Sequence, residues 1–526
     1  MSVRTALWIE WLATAFVLIA ALYFVVQTRQ WRLMVDSATM HYVVYLLHHG
    51  MKAYAGITDN NMPGACLTEA VAMNVFGGSD MAWRVYDYAL LALMAGAMCS
   101  IAWPYSRAAG LFAGALFALL HGSDGPWAAA EREQVVALCL VVACAALFAA
   151  VRQRRGWLLA LSGAALMLAT SIKPTFAPLL LALPLVLMRK LRREGVDIQP
   201  LRWFLLGVCV VLAADACFLL RYGSVHGFMF VLAHVLPAYA RLSYSHTGMR
   251  ELITFALPRT LWLPALAALC IALRPGGDDA TSRNRKWETN MLLAMACFGL
   301  LSYFLQAKPF DHHRYPFVAF ALLLIALQLF HGLRLDWRVA SIACAGVLAV
   351  LAIAVPRYVQ ALRARPAGSE LTQALERDLD GMGGRTQLQA KVQCFDLVYG
   401  CLNALYHLDL TEHTGFTGDL LLFSATDTQA SAYYRQMYVD AERKDPAQVL
   451  VITNEWFGHA NSFAKIETWP EFAQSLAANY TQVIAREFPD ELNAQVERPM
   501  NSAEPPAYRI YVRKSLLAVR KTVQAR

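Results

Sequence analysis

Apolar residues run in long blocks from the first residues to about position 356, separated by short polar stretches. Runs long enough to cross a bilayer, or nearly so, recur at about residues 6–26, 84–103, 108–121, 133–151, 157–170, 174–188, 203–220, 256–273, 291–306, 315–331 and 339–356. The pattern predicts about eleven membrane-spanning helices. Several runs hold only about fourteen to sixteen residues, against the roughly twenty of an upright span. No small-residue cleavage site precedes Gln27-Thr28-Arg29, so the first run reads as a retained helix rather than a signal peptide.

From about residue 357 the texture changes. The last 170 residues hold 38 of the chain's 84 Asp, Glu, Lys and Arg, which predicts a water-soluble domain over 357–526 following a membrane domain over 1–356. Strand-like runs at Ala390–Phe395, Asp419–Phe423, Gln448–Ile452, Tyr480–Ala485 and Tyr508–Val512 alternate with helical patterns at Leu371–Leu379, Ser431–Arg443 and Pro470–Ala478. Such alternation predicts a small α/β layer.

Composition agrees with the blocks: 58% of the residues are hydrophobic and 16% charged, where a soluble domain averages about 25% charged. The net charge of +8 comes from basic residues in short clusters between apolar runs, so it does not point to nucleic acid. With the N-terminus inside, the short loops holding Arg4, Arg107, Arg152/Arg154/Arg155, Arg189/Lys190/Arg192/Arg193, Arg283/Arg285/Lys286 and Arg334/Arg338 all become cytoplasmic. An odd number of spans then puts the C-terminal domain outside. Trp8, Trp31, Trp83, Trp103, Trp157, Trp203, Trp287 and Trp337 lie near proposed helix ends, as an interfacial belt requires.

Of the eleven cysteines, Cys99, Cys139, Cys144, Cys209, Cys217, Cys270, Cys297 and Cys344 fall inside apolar runs and read as core filler. Cys66 stands in a polar loop. Only Cys394 and Cys401 are placed to pair, and at seven residues apart they would lie about 10.5 Å from each other on one helix. A bridge therefore needs a strand-to-helix corner near Asp396.

Candidate chemistry concentrates in the outer loops. In the first, about 27–83, Asp36 follows the apolar run, and His41, Tyr42, Tyr45, His48 and His49 ride on an amphipathic stretch read as an interfacial helix. Asp36 also suits a helix N-cap. Lys308, His312, His313 and Arg314 crowd the loop before the tenth run, with Asp311 among them; they suit a phosphate, or headgroups at the membrane surface. Arg132, between Glu131 and Glu133, is a second candidate cation and equally a salt-bridged helix start. Lys173-Pro174 marks a broken helix that could present an ammonium near the interface. Arg221, His226, His234, Arg241, His246 and Arg250 populate the long loop after the seventh run, as a groove or a solvated loop. His41, His48 and His49 do not share a metal-box spacing with a carboxylate.

The order of the first outer loop is an acidic residue, an interfacial helix, Gly50-x-x-x-Tyr54, the polar run Asp59-Asn60-Asn61, Pro63, a second apolar stretch, Phe76-Gly77-Gly78 and Arg84. It resembles the first periplasmic loop of GT-C superfamily glycosyltransferases, in the protein O-mannosyltransferase-like branch that includes lipid A aminoarabinose transferases and Rhizobium-type lipopolysaccharide core transferases. "GPWAAAEREQ", "SIKPT" and "QAKPFDHHRYP" follow in the family's order. The resemblance implies a polytopic helical fold with an extracytoplasmic α/β appendage, in the cell inner membrane. It also implies sugar transfer from a polyprenyl-phosphate donor to a glycan, lipid or protein acceptor on the outer side. The first-loop acid, the family's catalytic base, corresponds to Asp36. Asp59 corresponds to a second polar position, although many members carry an acidic-basic pair where this chain has Asn60-Asn61-Met62. Some GT-C enzymes use a divalent cation beside the first-loop acid.

The chemistry agrees with this pattern. One carboxylate takes the acceptor's proton, and cations stabilise the departing phosphate, which leaves without a strong acid. Asp36 is the catalytic candidate; Asp59, Glu131, Arg132, Lys173, Lys308, His312 and His313 are the substrate and donor-phosphate candidates. The rival class, a transporter or lipid flippase, would place its polar groups at mid-span between repeats, and no inverted repeat is evident.

Overall fold

The computed structural model describes residues 2–193, 200–242, 248–274, 280–308, 310–424, 426–489 and 504–516. His246 and the side chain of Arg283, singled out above, lie outside the described residues. Every apolar run is helical. The first half of the chain forms α1 (Val3–Thr28), α2 (Val35–His48), α3 (Pro63–Phe76), α4 (Asp80–Ala102), α5 (Arg107–Asp124), α6 (Arg132–Gln153), α7 (Leu158–Ile172), α8 (Leu179–Arg193), α9 (Pro200–Tyr222), α10 (Val225–Phe230) and α11 (Leu236–Arg241). There follow α12 (Met249–Ala256), α13 (Trp262–Ala272), α14 (Ala280–Gln306), α15 (Tyr315–Gly332), α16 (Trp337–Ala349) and α17 (Val355–Arg363).

Among the described residues, eight helical stretches are long and apolar enough to cross a membrane, and α12 with α13, bent by 55°, makes a ninth if the pair is one span. The runs at 108–121 and 157–170 form α5 and α7, which fall outside that set. Helices apolar all round sort by position: α6 is 83% buried over its apolar window and α9 only 22%. The first is bundle centre, whereas the second faces outward. Cys209, Cys217, Cys270 and Cys297 are exposed on the bundle surface, so these four are not core filler. An apolar run on a membrane helix is equally suited to lipid and to protein.

The loops carrying the basic clusters meet at one end of the bundle. Arg334 donates to both carboxylate oxygens of the buried Glu10, at 2.8 and 2.7 Å, and Arg152 pairs with Glu288, which also accepts from Tyr105. Arg132 opens α6 and Arg152 ends it, about 30 Å away at 1.5 Å per residue. The loops with Asp36, Lys173 and Lys308 gather at the Arg132 end.

The C-terminal segment comprises α18 (Glu370–Gly381), α19 (Gly384–Leu388), β1 (Val392–Phe395), α20 (Cys401–His407), α21 (Leu420–Phe423), α22 (Gln429–Lys444), β2 (Val449–Thr453), α23 (Pro470–Asn479), β3 (Tyr480–Glu487) and β4 (Ala507–Arg513). The sheet order is β1-β2-β4-β3, parallel between β1 and β2 and antiparallel elsewhere. Both parallel strands are buried at every residue, as a covered parallel pair must be. The run at Asp419–Phe423, read above as a strand, is the short helix α21. Asp419 is instead held by the buried Lys465 at 2.5 Å, and four apolar residues in a row fit a buried turn as well as a strand. The corner near Asp396 is present. Cys394 in β1 is bridged to Cys401, the first residue of α20, with Cα atoms 6.0 Å apart. Asp396 between them accepts from the amides of Tyr399, Gly400 and Cys401.

The loop between α1 and α4 is clamped against this segment. Tyr42 donates to the Leu410 carbonyl at 3.0 Å, Asn403 to that of Leu33 at 2.6 Å and Tyr406 to that of Gly78 at 2.6 Å. Arg32 reaches Glu376 at 3.0 Å, and His407 lies between Glu376 and Asp80.

Candidate active site

α2 opens without a side-chain cap. Met34 holds the N-cap position and Asp36 stands in the first turn, so the helix-cap reading of Asp36 is corrected: its carboxylate is turned away from its own helix. Asp36 accepts from Arg132 Nη2 at 2.8 Å, and Arg132 Nε lies 3.9 Å from Glu131. Arg132 is thus a cross-link to the first outer loop rather than merely a salt-bridged helix start. Glu131, buried, accepts from Ser37 at 3.3 Å. Burial and the neighbouring Asp36 push its carboxyl well above the ordinary carboxylate range.

Two residues after Glu131, Glu133 pairs with Lys173 and lies 3.5 Å from His313 Nε2. Six of the candidates from four separate loops therefore form one cluster: Asp36, Glu131, Arg132, Lys173, His312 and His313. Glu133, which the sequence offered only as a flank of Arg132, is its centre. Lys308 joins without an ion-pair partner among the described residues. Its ammonium sits 3.2 Å from the centre of the Tyr239 ring and 5.4 Å from that of Phe457, and burial and Lys173 pull its pKa down to about 7. Tyr239 and Phe457 were not legible as site residues, since nothing in their sequence surroundings marks them.

Two sets of ligand atoms lie within 4.8 Å of one another: Glu133, His312 and His313, and Asp36, Glu131 and His312. Both nitrogens of His312 and Oε2 of Glu133 are buried without a hydrogen-bond partner among the described residues. Orphaned imidazole and carboxylate atoms this close together suit a transition-metal ion, with His312 common to both sets. His48 and His49 are exposed away from this cluster, and His41 is buried against Glu69.

Three non-glycine residues with positive φ directly precede site residues: Val35 (57°) before Asp36, Ala130 (54°) before Glu131 and Ala307 (50°) before Lys308. Each costs on the order of 1–3 kcal/mol and persists only where the surroundings impose it. Asp87 supplies part of that imposition. Its Oδ1 accepts from the Ala130 amide at 2.9 Å and contacts His121 Nε2 at 3.0 Å, and its Oδ2 lies 3.0 Å from Arg84. His121 Nδ1 meets the Tyr315 hydroxyl at 3.0 Å. A single buried carboxylate thereby braces the loop before Glu131 and the start of α15 behind His312 and His313. Arg314 faces away from the site, to Asp124 at 2.6 Å and Asp311 at 3.3 Å.

Asp59 stands apart. It is buried, accepts from the amide and side chain of Asn61 at 3.0 and 2.6 Å, and lies 3.7 Å from Cys66. Burial raises its pKa although Arg132 is within electrostatic reach. Cys66, read above as a loop cysteine, is buried within α3, because Pro63 starts the helix there. The segment after the seventh run is largely helical, and Tyr239 is its residue at the cluster.

No protein-family model and no curated protein matches this chain. Among solved structures it resembles ArnT from Cupriavidus metallidurans bound to undecaprenyl phosphate, with TM-score 0.51 and 14% identity over 94% of this chain and 97% of that one. It also resembles the Archaeoglobus fulgidus oligosaccharyltransferase in the apo form, with TM-score 0.50 and 12% identity over 84% of this chain and 69% of that one. The chain shares the polytopic helical fold of these two proteins, as the loop order led us to expect.

Proposed function

We propose that this chain is a membrane glycosyltransferase that moves a sugar from a polyprenyl-phosphate carrier to an acceptor hydroxyl on the outer side of the inner membrane. The observation that carries the reading is the cluster itself: one water-accessible carboxylate, Asp36, beside Arg132, Lys173 and Lys308, the last with no ion-pair partner among the described residues. The undecaprenyl phosphate bound to ArnT of the same fold supports a carrier of that class. The Cys394–Cys401 bridge supports an extracytoplasmic C-terminal segment, since disulfides persist in oxidising compartments.

In this mechanism the acceptor hydroxyl gives its proton to Asp36 as its oxygen attacks the anomeric carbon. The bond from that carbon to the phosphate oxygen breaks, and the phosphate departs with the electron pair. Arg132, Lys173 and Lys308 face the growing negative charge. Lys308 is well placed to do so, because its ammonium meets ring faces and has no ion-pair partner among the described residues. Glu133, His312 and His313 would hold a divalent cation, which when bound supplies further positive charge at the phosphate.

The test is turnover of defined polyprenyl-phosphate sugars by the purified full chain, following release of the polyprenyl phosphate. We expect transfer from at least one donor, with Lys308→Ala weakening donor use more than acceptor use. Release from none of the donors would overturn the reading. Unchanged donor dependence in a Lys308/His312/His313 triple-alanine variant would remove those three from the phosphate site.

A further inference from the structure

The turn Trp456–His459, between β2 and α23, brings the C-terminal segment to the Asp36 cluster. The His459 amide donates to the Trp456 carbonyl at 3.0 Å, and Gly458 stands third in the turn with φ 77°, the left-handed value a type II turn requires there. Phe457, second in the turn, is thereby carried at its tip. The base is tied as well: the Ser462 amide donates to the Asn454 carbonyl at 2.7 Å, and Asn461 donates to the Tyr399 hydroxyl at 2.6 Å. The His459 ring stacks on that of Trp456, centres 4.2 Å apart.

The Phe457 ring faces that of Tyr239, 6.1 Å away and tilted by 34°. Tyr239 lies on α11, which follows a single π turn at Val231–Val235, a wide turn frequent at functional sites. That stretch is pinned to α22 through Phe230, 4.5 Å from the Tyr433 ring. The Lys308 ammonium lies against both rings, 3.2 Å from the centre of Tyr239 and 5.4 Å from that of Phe457, inside the cation–π range of about 6 Å. Lys308 is only 4% exposed, and Lys173 and Arg132 repel its charge while Asp36 attracts it. Two repulsions against one attraction leave the ring faces to hold a flexible side chain in place.

That the partners are rings has a chemical consequence. A carboxylate beside Lys308 would hold the ammonium firmly and cancel the charge that a phosphate needs. A ring face holds it and leaves the charge whole. We propose that Phe457 is a positioning residue for the carrier phosphate: with Tyr239 it keeps the Lys308 ammonium in the cluster and uncancelled, so that the C-terminal segment completes the donor site. The inference rests on the transferase reading, in which Lys308 faces the departing phosphate. Phe457 acts through Lys308 and not on the reacting atoms.

Equilibrium binding of undecaprenyl phosphate to the purified full chain in detergent, with the uncharged alcohol undecaprenol as control, tests this without sugar, acceptor or turnover. Phe457→Leu removes the ring face and keeps an apolar side chain, whereas Phe457→Tyr keeps the face; Phe457→Met replaces the Leu variant if that one does not fold. We expect Phe457→Leu to weaken phosphate binding by about five- to thirtyfold and Phe457→Tyr by less than about twofold, with alcohol binding unaltered in both. On a Lys308→Met background the Leu substitution should have no further effect, since the ring then has no cation to hold. Phosphate binding unchanged in Phe457→Leu, equal losses in the Leu and Tyr variants, equal loss of the alcohol, or a full further loss on the Lys308→Met background would each overturn the proposal. A wild-type chain that binds alcohol and phosphate equally would overturn the phosphate site of the transferase reading and this inference with it. A phosphate-selective wild type with an unaffected Leu variant would strike Phe457 alone.

Discussion

Two buried charge clusters, one on each side of the boundary between the helical bundle and the C-terminal segment, are built from the same residue types to opposite ends. In the C-terminal segment Lys465 donates to Asp419 at 2.5 Å, to the Glu455 carbonyl at 2.7 Å and to that of Phe395 at 3.4 Å. Asp396 accepts from three amides and from Thr453. Lys465 and Asp396 are thus hydrogen-bonded on every side, and the cluster joins β1 to the segment after β2. In the Asp36 cluster both His312 nitrogens and a Glu133 oxygen are unanswered, and Lys308 has only ring faces. Orphaned buried polar atoms cost about 1–3 kcal/mol each, and three loops add backbone strain. The comparison teaches that burial and charge alone do not mark a site. What sets the Asp36 cluster apart is that Glu133, His312 and His313, with unanswered atoms among them, offer ligand atoms within 4.8 Å of one another.

The sharpest way to break the comparison is Asp36→Asn, which keeps the size of the side chain and removes the proton acceptor. Turnover per folded molecule should fall by about 10²–10⁴ with the melting temperature little changed; a well-folded variant turning over at the normal rate would return Asp36 to a structural role. Lys465→Met is the mirror case. Leaving Asp419 buried without its cation should cost about 3–5 kcal/mol, read as a lower unfolding midpoint, with turnover of the surviving folded fraction unaltered.

A smaller effect concerns the metal-type ligands. Glu133→Gln and His312→Ala should weaken zinc binding, measured by calorimetry on the full chain, by at least the ten- to hundredfold that loss of even an outer partner costs. Equal zinc affinity in both variants would leave the orphaned atoms without that explanation. The smallest effect is on the clamp between the two regions. Burial alone would lower the His407 pKa, but Asp80 and Glu376 win and raise it to about 9. A raised folded pKa stabilises docking fully below the unfolded value near 6.5, and that contribution disappears as pH rises through about 9. Limited proteolysis at the boundary should therefore speed up between pH 7 and 10 in the wild type and show a weaker pH dependence in His407→Gln.

Much of this was legible in the sequence because membranes impose long apolar runs. The helices, the α18, α22 and α23 patterns and four of five strand-like runs emerged from periodicity, and the Asp396 corner from cysteine spacing alone. Of the cluster, loop order gave Asp36, Glu131, Arg132, Lys173, Lys308, His312 and His313. Periodicity cannot say that residues 96 and more positions apart touch, so the Asp36–Arg132 pair was invisible. Glu133 was hidden for another reason. As the first acid of an apolar run it reads as a favourable helix start, and only the approach of Lys173 and His313 gives it a different role. The run at Asp419–Phe423 failed because four apolar residues carry no period.

The clamp that braces the first outer loop also sets when the loop can be finished. Tyr42 and Leu410 are separated by 368 residues and Leu33 and Asn403 by 370. At synthesis rates of about 5–20 residues per second, roughly 20–75 s pass between the making of one half of each contact and the other. During that interval the strained turn at Val35 lacks what holds it. A nascent chain ending before residue 400 carries every residue of the Asp36 cluster and lacks the frame that aims them, so assembly of the cluster reports that translation has passed residue 410.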